Sequence, residues 1–143
     1  MKILIFCLSF CFAANYAFAQ SADSDSAETL FAQALTLAEN GKTEKALQIL
    51  NRLMAQYPEL PEPYNNAAVL YAQQKEWQKA QETLKIAIAA NPQFARAHQN
   101  LGFLYLELAR QAFQTAEDIA PGSATQELQR LNNFHQPLKE NKQ

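Results

Sequence analysis

The side chains best suited to catalysis are few in this sequence, and they are far apart. Two histidines, His98 and His135, stand in distant segments without the carboxylate pattern or the spacing of a metal site. Three glycines are spread over separate segments and cannot form a phosphate-binding loop. Glu117 and Asp118 are adjacent, and neighbouring residues of a helix point in different directions, which argues against a working acid–base pair. We therefore predict a protein that is not an enzyme and that has no metal or cofactor.

The first 19 residues have the three-part layout of a secretory signal peptide. A short basic start is followed by an apolar run at 3–14, and residues 17–19 (Ala-Phe-Ala) have the small-x-small pattern that precedes cleavage. The apolar run is shorter than the about 20 residues that a spanning helix requires. We expect cleavage after Ala19 and export, to the periplasm in a bacterium, with no membrane span left in the mature chain. An uncleaved amino-terminal anchor is the alternative.

Both cysteines of the chain, Cys7 and Cys11, lie inside that apolar run. The mature chain would then contain no cysteine, so its fold would depend on packing rather than on disulfides. Phe10 stands directly before Cys11, where a bacterial lipoprotein cleavage site requires a small residue. Lipidation at Cys11 is therefore a minor alternative.

Charge and composition exclude several classes of partner and of fold. The chain has 12 Lys and Arg against 14 Asp and Glu, and the segment 1–19 contains one of these residues, Lys2. The remainder therefore carries a net charge near −3, which does not favour binding to nucleic acid. Gly and Pro are scarce, and no stretch alternates β-branched and polar residues as a strand does. We expect a single all-α domain.

An internal repeat sets the position of the helices. The segments 27–60 and 61–94 carry the same pattern at an offset of 34 residues, with small residues at positions 8 and 20, large apolar residues at 4, 11 and 24, and proline at 32. The matching residues are Leu30, Ala34, Leu37, Ala46, Leu50 and Pro58 in the first segment, and Tyr64, Ala68, Tyr71, Ala80, Leu84 and Pro92 in the second. Small residues let two helices approach closely, and proline ends the second helix.

This pattern resembles the tetratricopeptide repeat, in which each repeat is an antiparallel pair of helices, A and B. The resemblance implies a helix-hairpin solenoid with two full repeats, 27–60 and 61–94. Two generic amphipathic hairpins are the alternative.

The third repeat, at 95–121, lacks the turn between its helices. Tyr105 and Ala109 match positions 11 and 20 of the repeat but are only four residues apart, so five residues are missing. Apolar residues continue in one helical phase from Leu101 to Ala120. We predict a single helix over 95–120, about 39 Å long, with a strained tight hairpin as the alternative. His98, at position 4, is expected to be a packing residue.

Shorter segments flank these repeats. Residues 123–134 are predicted to form a capping helix that completes a domain spanning 27–134. Capping boxes are predicted at Asp25 with Glu28 and at Ser123 with Gln126. Residues 20–26 are expected to be a flexible lead-in and residues 135–143 a frayed tail.

The resemblance also implies a binding surface, because the A helices of the family line a concave groove that accepts a peptide or helix. Transferring the groove positions one by one gives Phe31, Leu35, Asn65, Asn66, Val69, Gln73, Arg96, Gln99, Phe103 and Leu106. Some members clamp a terminal carboxylate in this groove. Asn66 and Arg96 match that pattern, but Leu35 and Asn100 do not, so an apolar peptide or an amphipathic helix fits this groove better.

These features together predict a non-catalytic scaffold or adaptor of the cell envelope that binds a protein or peptide partner in its groove. The alternative is a structural subunit in which the long helix 95–120 forms a homodimer or a domain-swapped interface.

Overall fold

The computed structural model describes residues 26–133. The predicted signal peptide at 1–19, the lead-in up to Asp25 and the tail at 135–143 lie outside the described residues. Within 26–133 all regular secondary structure is α-helical. The helices are α1 (Ala27–Glu39), α2 (Thr43–Gln56), α3 (Pro61–Gln73), α4 (Trp77–Ala90), α5 (Ala95–Ile119) and α6 (Thr125–Asn132). None of them has an apolar stretch long enough to cross a bilayer.

Successive helices pack as hairpins and stack into a solenoid, which confirms the predicted fold class. The most extensive contacts are those of α1 with α2 and of α3 with α4, and the two hairpins meet through α2 and α3. The small residues at positions 8 and 20 of both repeats are fully buried within these hairpins; they are Ala34, Ala46, Ala68 and Ala80. Their burial allows the close approach of A and B helices that the pattern predicts.

Helix α3 is the centre of the domain. It begins with Pro61, at a position where the missing amide hydrogen costs nothing, and it is buried from Pro63 to Ala72 without an exposed face. The phenolic hydroxyl of Tyr64 donates to the carbonyl oxygen of Met54 at 3.3 Å, which ties α3 to the end of α2. Because α3 contacts α2, α4 and α5, it holds the repeats together.

Equivalent turns join the helices of the first two repeats. Gly41 after α1 and Lys75 after α3 occupy the same repeat position and have φ angles of 71° and 62°. A left-handed conformation suits glycine, which has no Cβ, and is strained for lysine. The second repeat therefore keeps this turn at the cost of local strain.

Replacing Lys75 with glycine is expected to raise the free energy of unfolding by about 1 kcal/mol, because the left-handed conformation costs about that much for a residue with a Cβ. The matched change Gly41→Lys is expected to lower it by a similar amount. Urea denaturation of both variants measures this. Equal and opposite changes are expected, whereas destabilisation by Lys75→Gly would show that the lysine side chain matters more than the turn.

The third repeat forms one uninterrupted helix, as predicted. Helix α5 has 25 residues and is therefore about 37 Å long. Its first half packs against α3 and α4, where Ala97, Asn100 and Leu104 are buried. Leu108 is the last residue of α5 that packs against the hydrophobic core. Helix α5 also contacts the short helix α6 that follows it.

A carboxylate holds the turn between α5 and α6. Both oxygens of Glu117 accept hydrogen bonds, from the backbone amides of Gly122 (2.8 Å) and Ala124 (2.9 Å) and from the hydroxyl of Thr125 (2.8 Å). These donors favour the charged form and lower the pKa of Glu117 below its usual value. The Glu117 side chain therefore fixes the start of α6.

Both predicted capping boxes were wrong. Helix α1 is capped by Ser26, whose hydroxyl accepts from the amide of Thr29 at 3.2 Å, rather than by Asp25 with Glu28. Helix α6 has Ala124 at its N-cap, and Ser123 instead donates to the carbonyl oxygen of Ala116. A box of two polar residues matches several neighbouring positions in polar segments, so the pattern did not fix the boundary.

His98 was expected to be a packing residue but is exposed. Its Nε2 donates to the carbonyl oxygen of Pro92 at 3.0 Å and so links α5 to the preceding turn. Position 4 is buried in the two complete repeats, as Leu30 and Tyr64, whereas in the third repeat the segment of helix B continues α5 instead of folding back.

Candidate partner-binding groove

The predicted groove residues lie on α1, α3 and the first half of α5, the A helices of the three repeats. The structure divides them by exposure into buried, half-buried and exposed side chains. Phe31, Asn65, Asn66 and Val69 are buried; Leu35, Arg96 and Phe103 are half-buried; Gln73, Gln99 and Leu106 are exposed. The first group forms what we call the floor of the groove, and the other two form its rim.

Three amide side chains connect the floor. Asn100 Nδ2 donates to Asn65 Oδ1 at 2.8 Å, and Asn65 Nδ2 donates to Asn66 Oδ1 at 3.2 Å. All three residues are buried. Buried polar groups are stable only when hydrogen-bonded, so this network fixes α5 against α3 and orients the floor.

The rim offers apolar contact next to amides. Leu35 packs partly against the core, whereas Phe103 is half-buried without belonging to the core cluster or its neighbours. Leu106, about one turn after Phe103 along α5, is 38% exposed. Gln73 and Gln99 each carry both donors and an acceptor. Such a rim can bury apolar side chains of a ligand while hydrogen-bonding its backbone.

One ion pair lies on the turn of α5 that follows Phe103. Arg110 Nε donates to Glu107 Oε2 at 2.9 Å, and the carboxylate raises the pKa of Arg110 above its usual value. The arginine is more than a third exposed, so the pair contributes little to stability. Within residues 26–133 no group of His, Cys, Asp and Glu is arranged to hold a metal ion.

Asn100 has a larger structural role than its sequence position indicated. It stands at position 6 of the third repeat, as Asn66 does in the second, and it supplies the hydrogen bond that joins the two A helices. The recurrence of asparagine at position 6 was the signal that could have identified this network. Burial of Asn65 and Asn66 was not predictable from their groove positions alone.

Comparison with known proteins agrees with this geometry. The tetratricopeptide repeat family profile matches residues 37–102. Among solved structures, the first tetratricopeptide repeat domain of Spaghetti (RPAP3), bound to the HSP90 peptide SRMEEVD, is similar to this chain with a TM-score of 0.56. The two are 24% identical, and the match covers 78% of this chain and 94% of that one. No protein with a curated description matches the sequence.

Proposed function

Since this chain is a tetratricopeptide repeat protein, we propose that it is a non-catalytic adaptor of the cell envelope that binds a peptide or helix of another protein along its A helices. The fold is typically an interaction module rather than a catalyst. The observation that carries the proposal is the pairing of a buried amide floor with an accessible apolar rim, in which Phe103 is not used by the core.

The expected ligand is an apolar peptide or an amphipathic helix. Phe103 and Leu106 are accessible apolar side chains on adjacent turns of α5, and Leu35 adds a third on α1. Helical ligands bind such grooves through residues that recur every three or four positions. The similar structure holds the acidic peptide SRMEEVD, but the predicted rim of this chain has Arg96 as its one basic residue, so an acidic peptide is a poor match.

Photo-crosslinking in cells tests this proposal. A photoreactive amino acid at Gln99, on the rim, is expected to form a discrete crosslink to a partner, whereas one at Gln48, exposed on α2, is not. Phe103→Glu is expected to weaken the Gln99 crosslink and the affinity of the identified partner by about 30-fold, which is the effect of removing an interface anchor worth about 2 kcal/mol.

The control compares Phe103→Glu with Ile86→Glu, a change at an exposed residue of α4. Ile86→Glu is expected to leave the Gln99 crosslink intact. Crosslinks of equal strength at Gln48 and Gln99, or full binding by the Phe103 variant, would contradict the groove. Tight binding of synthetic SRMEEVD would contradict the proposed apolar ligand. Recovery of the chain in the periplasmic fraction, beginning at Gln20, is the expected result for its location.

A further inference from the structure

The second half of α5 has the sequence of a helix B without a helix A to pack on. Ala109, Phe113, Ala116 and Pro121 have the spacing of positions 20, 24, 27 and 32 of the repeat. In both complete repeats helix B makes its most extensive contact with the helix A before it. Here the residues before Ala109 belong to the same straight helix, so this contact cannot form within one chain.

The burial of the small residues shows the missing contact directly. Positions 8 and 20 are Ala34 and Ala46 in the first repeat, and both are fully buried. In the third repeat these positions are Gly102 and Ala109. Gly102 is exposed, and a Cβ added to it would meet nothing within 4 Å; Ala109 is half-buried. Gly102 therefore has no closely packed helix beside it, and Ala109 is less buried than Ala46 and Ala80 at the same repeat position.

We propose that a second copy of this chain supplies the helix that packs beside Gly102 and Ala109. Two α5 helices pair antiparallel about a twofold axis near Tyr105, so that residues 95–105 of each copy pack against residues 106–119 of the other. Position 8 then meets position 20 across the interface, Gly102 against Ala109, as in the complete repeats. The dimer thus contains two complete third repeats, each built from both chains.

The residues of this interface share one side of α5. They are separated by three or four residues, which places them on a single stripe; they are His98, Gly102, Tyr105, Ala109, Phe113 and Ala116. The stripe lies on the side opposite to Ala97, Asn100 and Leu104, which are buried in the chain's own core. None of the stripe residues is buried, and Tyr105 is 46% exposed. One face of α5 is therefore buried in the core of its own chain, whereas the opposite face stays at least partly exposed.

The charges of α5 favour the antiparallel arrangement. Arg96 lies in its first turn, and Glu117 and Asp118 lie in its last. Antiparallel pairing opposes the helix dipoles and keeps the acidic last turns of the two copies apart. Parallel pairing would bring the acidic ends together. Arg96 lies about 145° from the stripe around α5, on the side of the groove, and does not face the other copy.

The available area is that of a weak dimer. Helix α5 is about 37 Å long and, with side chains, about 10–12 Å wide, so a contact along its whole length covers about 400 Å² on each copy. The total of about 800 Å² over both copies is in the range of transient interfaces, so association is expected to depend on protein concentration.

Helix α6 is compatible with this assembly. It packs on the second half of α5 and is anchored there by Glu117. In the complete repeats, helix A of the following repeat packs on helix B in the same order along the chain. Helix α6 therefore caps a third repeat whose helix A comes from the other copy.

Sedimentation equilibrium of the full chain tests the proposal. The mass of the wild type is expected to rise with protein concentration towards twice that of one chain. Gly102→Leu is expected to weaken association at least 100-fold, because the new side chain would separate Gly102 from Ala109, while the helical content by circular dichroism stays unchanged. Gln114→Leu adds the same side chain at an exposed position that lies about 120° from Gly102 around the axis of α5. This variant is expected to remain dimeric.

A second measurement tests the register. In a chain with Cys7 and Cys11 replaced by serine, Tyr105→Cys is expected to form a disulfide-linked dimer on mild oxidation, because the two copies meet near this residue. Gln114→Cys is expected to stay unlinked. If the helical content of Gly102→Leu is lower than that of the wild type, Tyr105→Glu is tested in its place. A monomeric wild type at all concentrations, a Gly102→Leu variant as dimeric as the wild type, or linkage at 114 and not at 105 overturns the proposal.

Discussion

Replacing Leu84 with alanine is expected to lower the free energy of unfolding by about 2–5 kcal/mol. Leu84 is fully buried on α4 and belongs to the core that the two hairpins share. Its truncation removes apolar contacts and leaves a cavity that the neighbouring helices fill only in part. Since a domain of this size has a total stability of about 5–15 kcal/mol, the variant loses a large share of its stability. Its melting temperature should fall by at least 8 °C.

Ile86→Ala is the matched control, because it removes a similar side chain from the same helix. Ile86 is 48% exposed, so its truncation should cost less than about 1 kcal/mol. Urea denaturation followed by circular dichroism compares the two, with unchanged denaturant dependence expected for both. Equal losses would contradict the assignment of Leu84 to the core.

Enlarging Ala68 to leucine is expected to be the second most damaging change. Ala68 is fully buried on α3 at position 8, and α3 and α4 pack closely there. Three additional carbon atoms force these helices apart or push side chains out of their preferred rotamers, at a cost of about 1–3 kcal/mol. The third repeat differs at the same position, since Gly102 has open space around it.

Ala89→Leu provides the control for this enlargement, because Ala89 is an exposed residue of α4. It should leave the unfolding free energy within about 0.5 kcal/mol of the wild type. Thermal unfolding at low protein concentration is the appropriate measurement, so that association contributes little. If Ala68→Leu were as stable as Ala89→Leu, the hairpin would not be closely packed at position 8.

The helical architecture could be predicted because it depends on local periodicity and on residue size. Small residues such as Ala46 and Ala80 marked the hairpins, and prolines such as Pro58 marked the ends of B helices. The continuous helix followed from one unbroken apolar phase with no breaker, and it ends at Ile119, one residue before the predicted end.

The surface of the groove was harder to predict, because exposure depends on how neighbouring helices pack. Asn65 and Asn66 have the polar character of binding residues, yet both are buried within a hydrogen-bonded network. Repeat position indicates which side of a helix a residue occupies but not how deeply it lies. The capping errors at Ser26 and Ala124 have another cause, since several polar residues near a helix start can accept the first amide hydrogens.

The unbroken helix α5 also has a mechanical consequence. A straight helix without proline resists bending, and the segment from Leu104 to Ile119 extends about 22 Å from the last fully buried residue of α5. A force applied at α6 therefore acts on the core as through a lever arm that begins where Leu104 and Leu108 pack against the core. Tension on α6 would load the contacts of α5 with α3 and α4 before it loads the first hairpin.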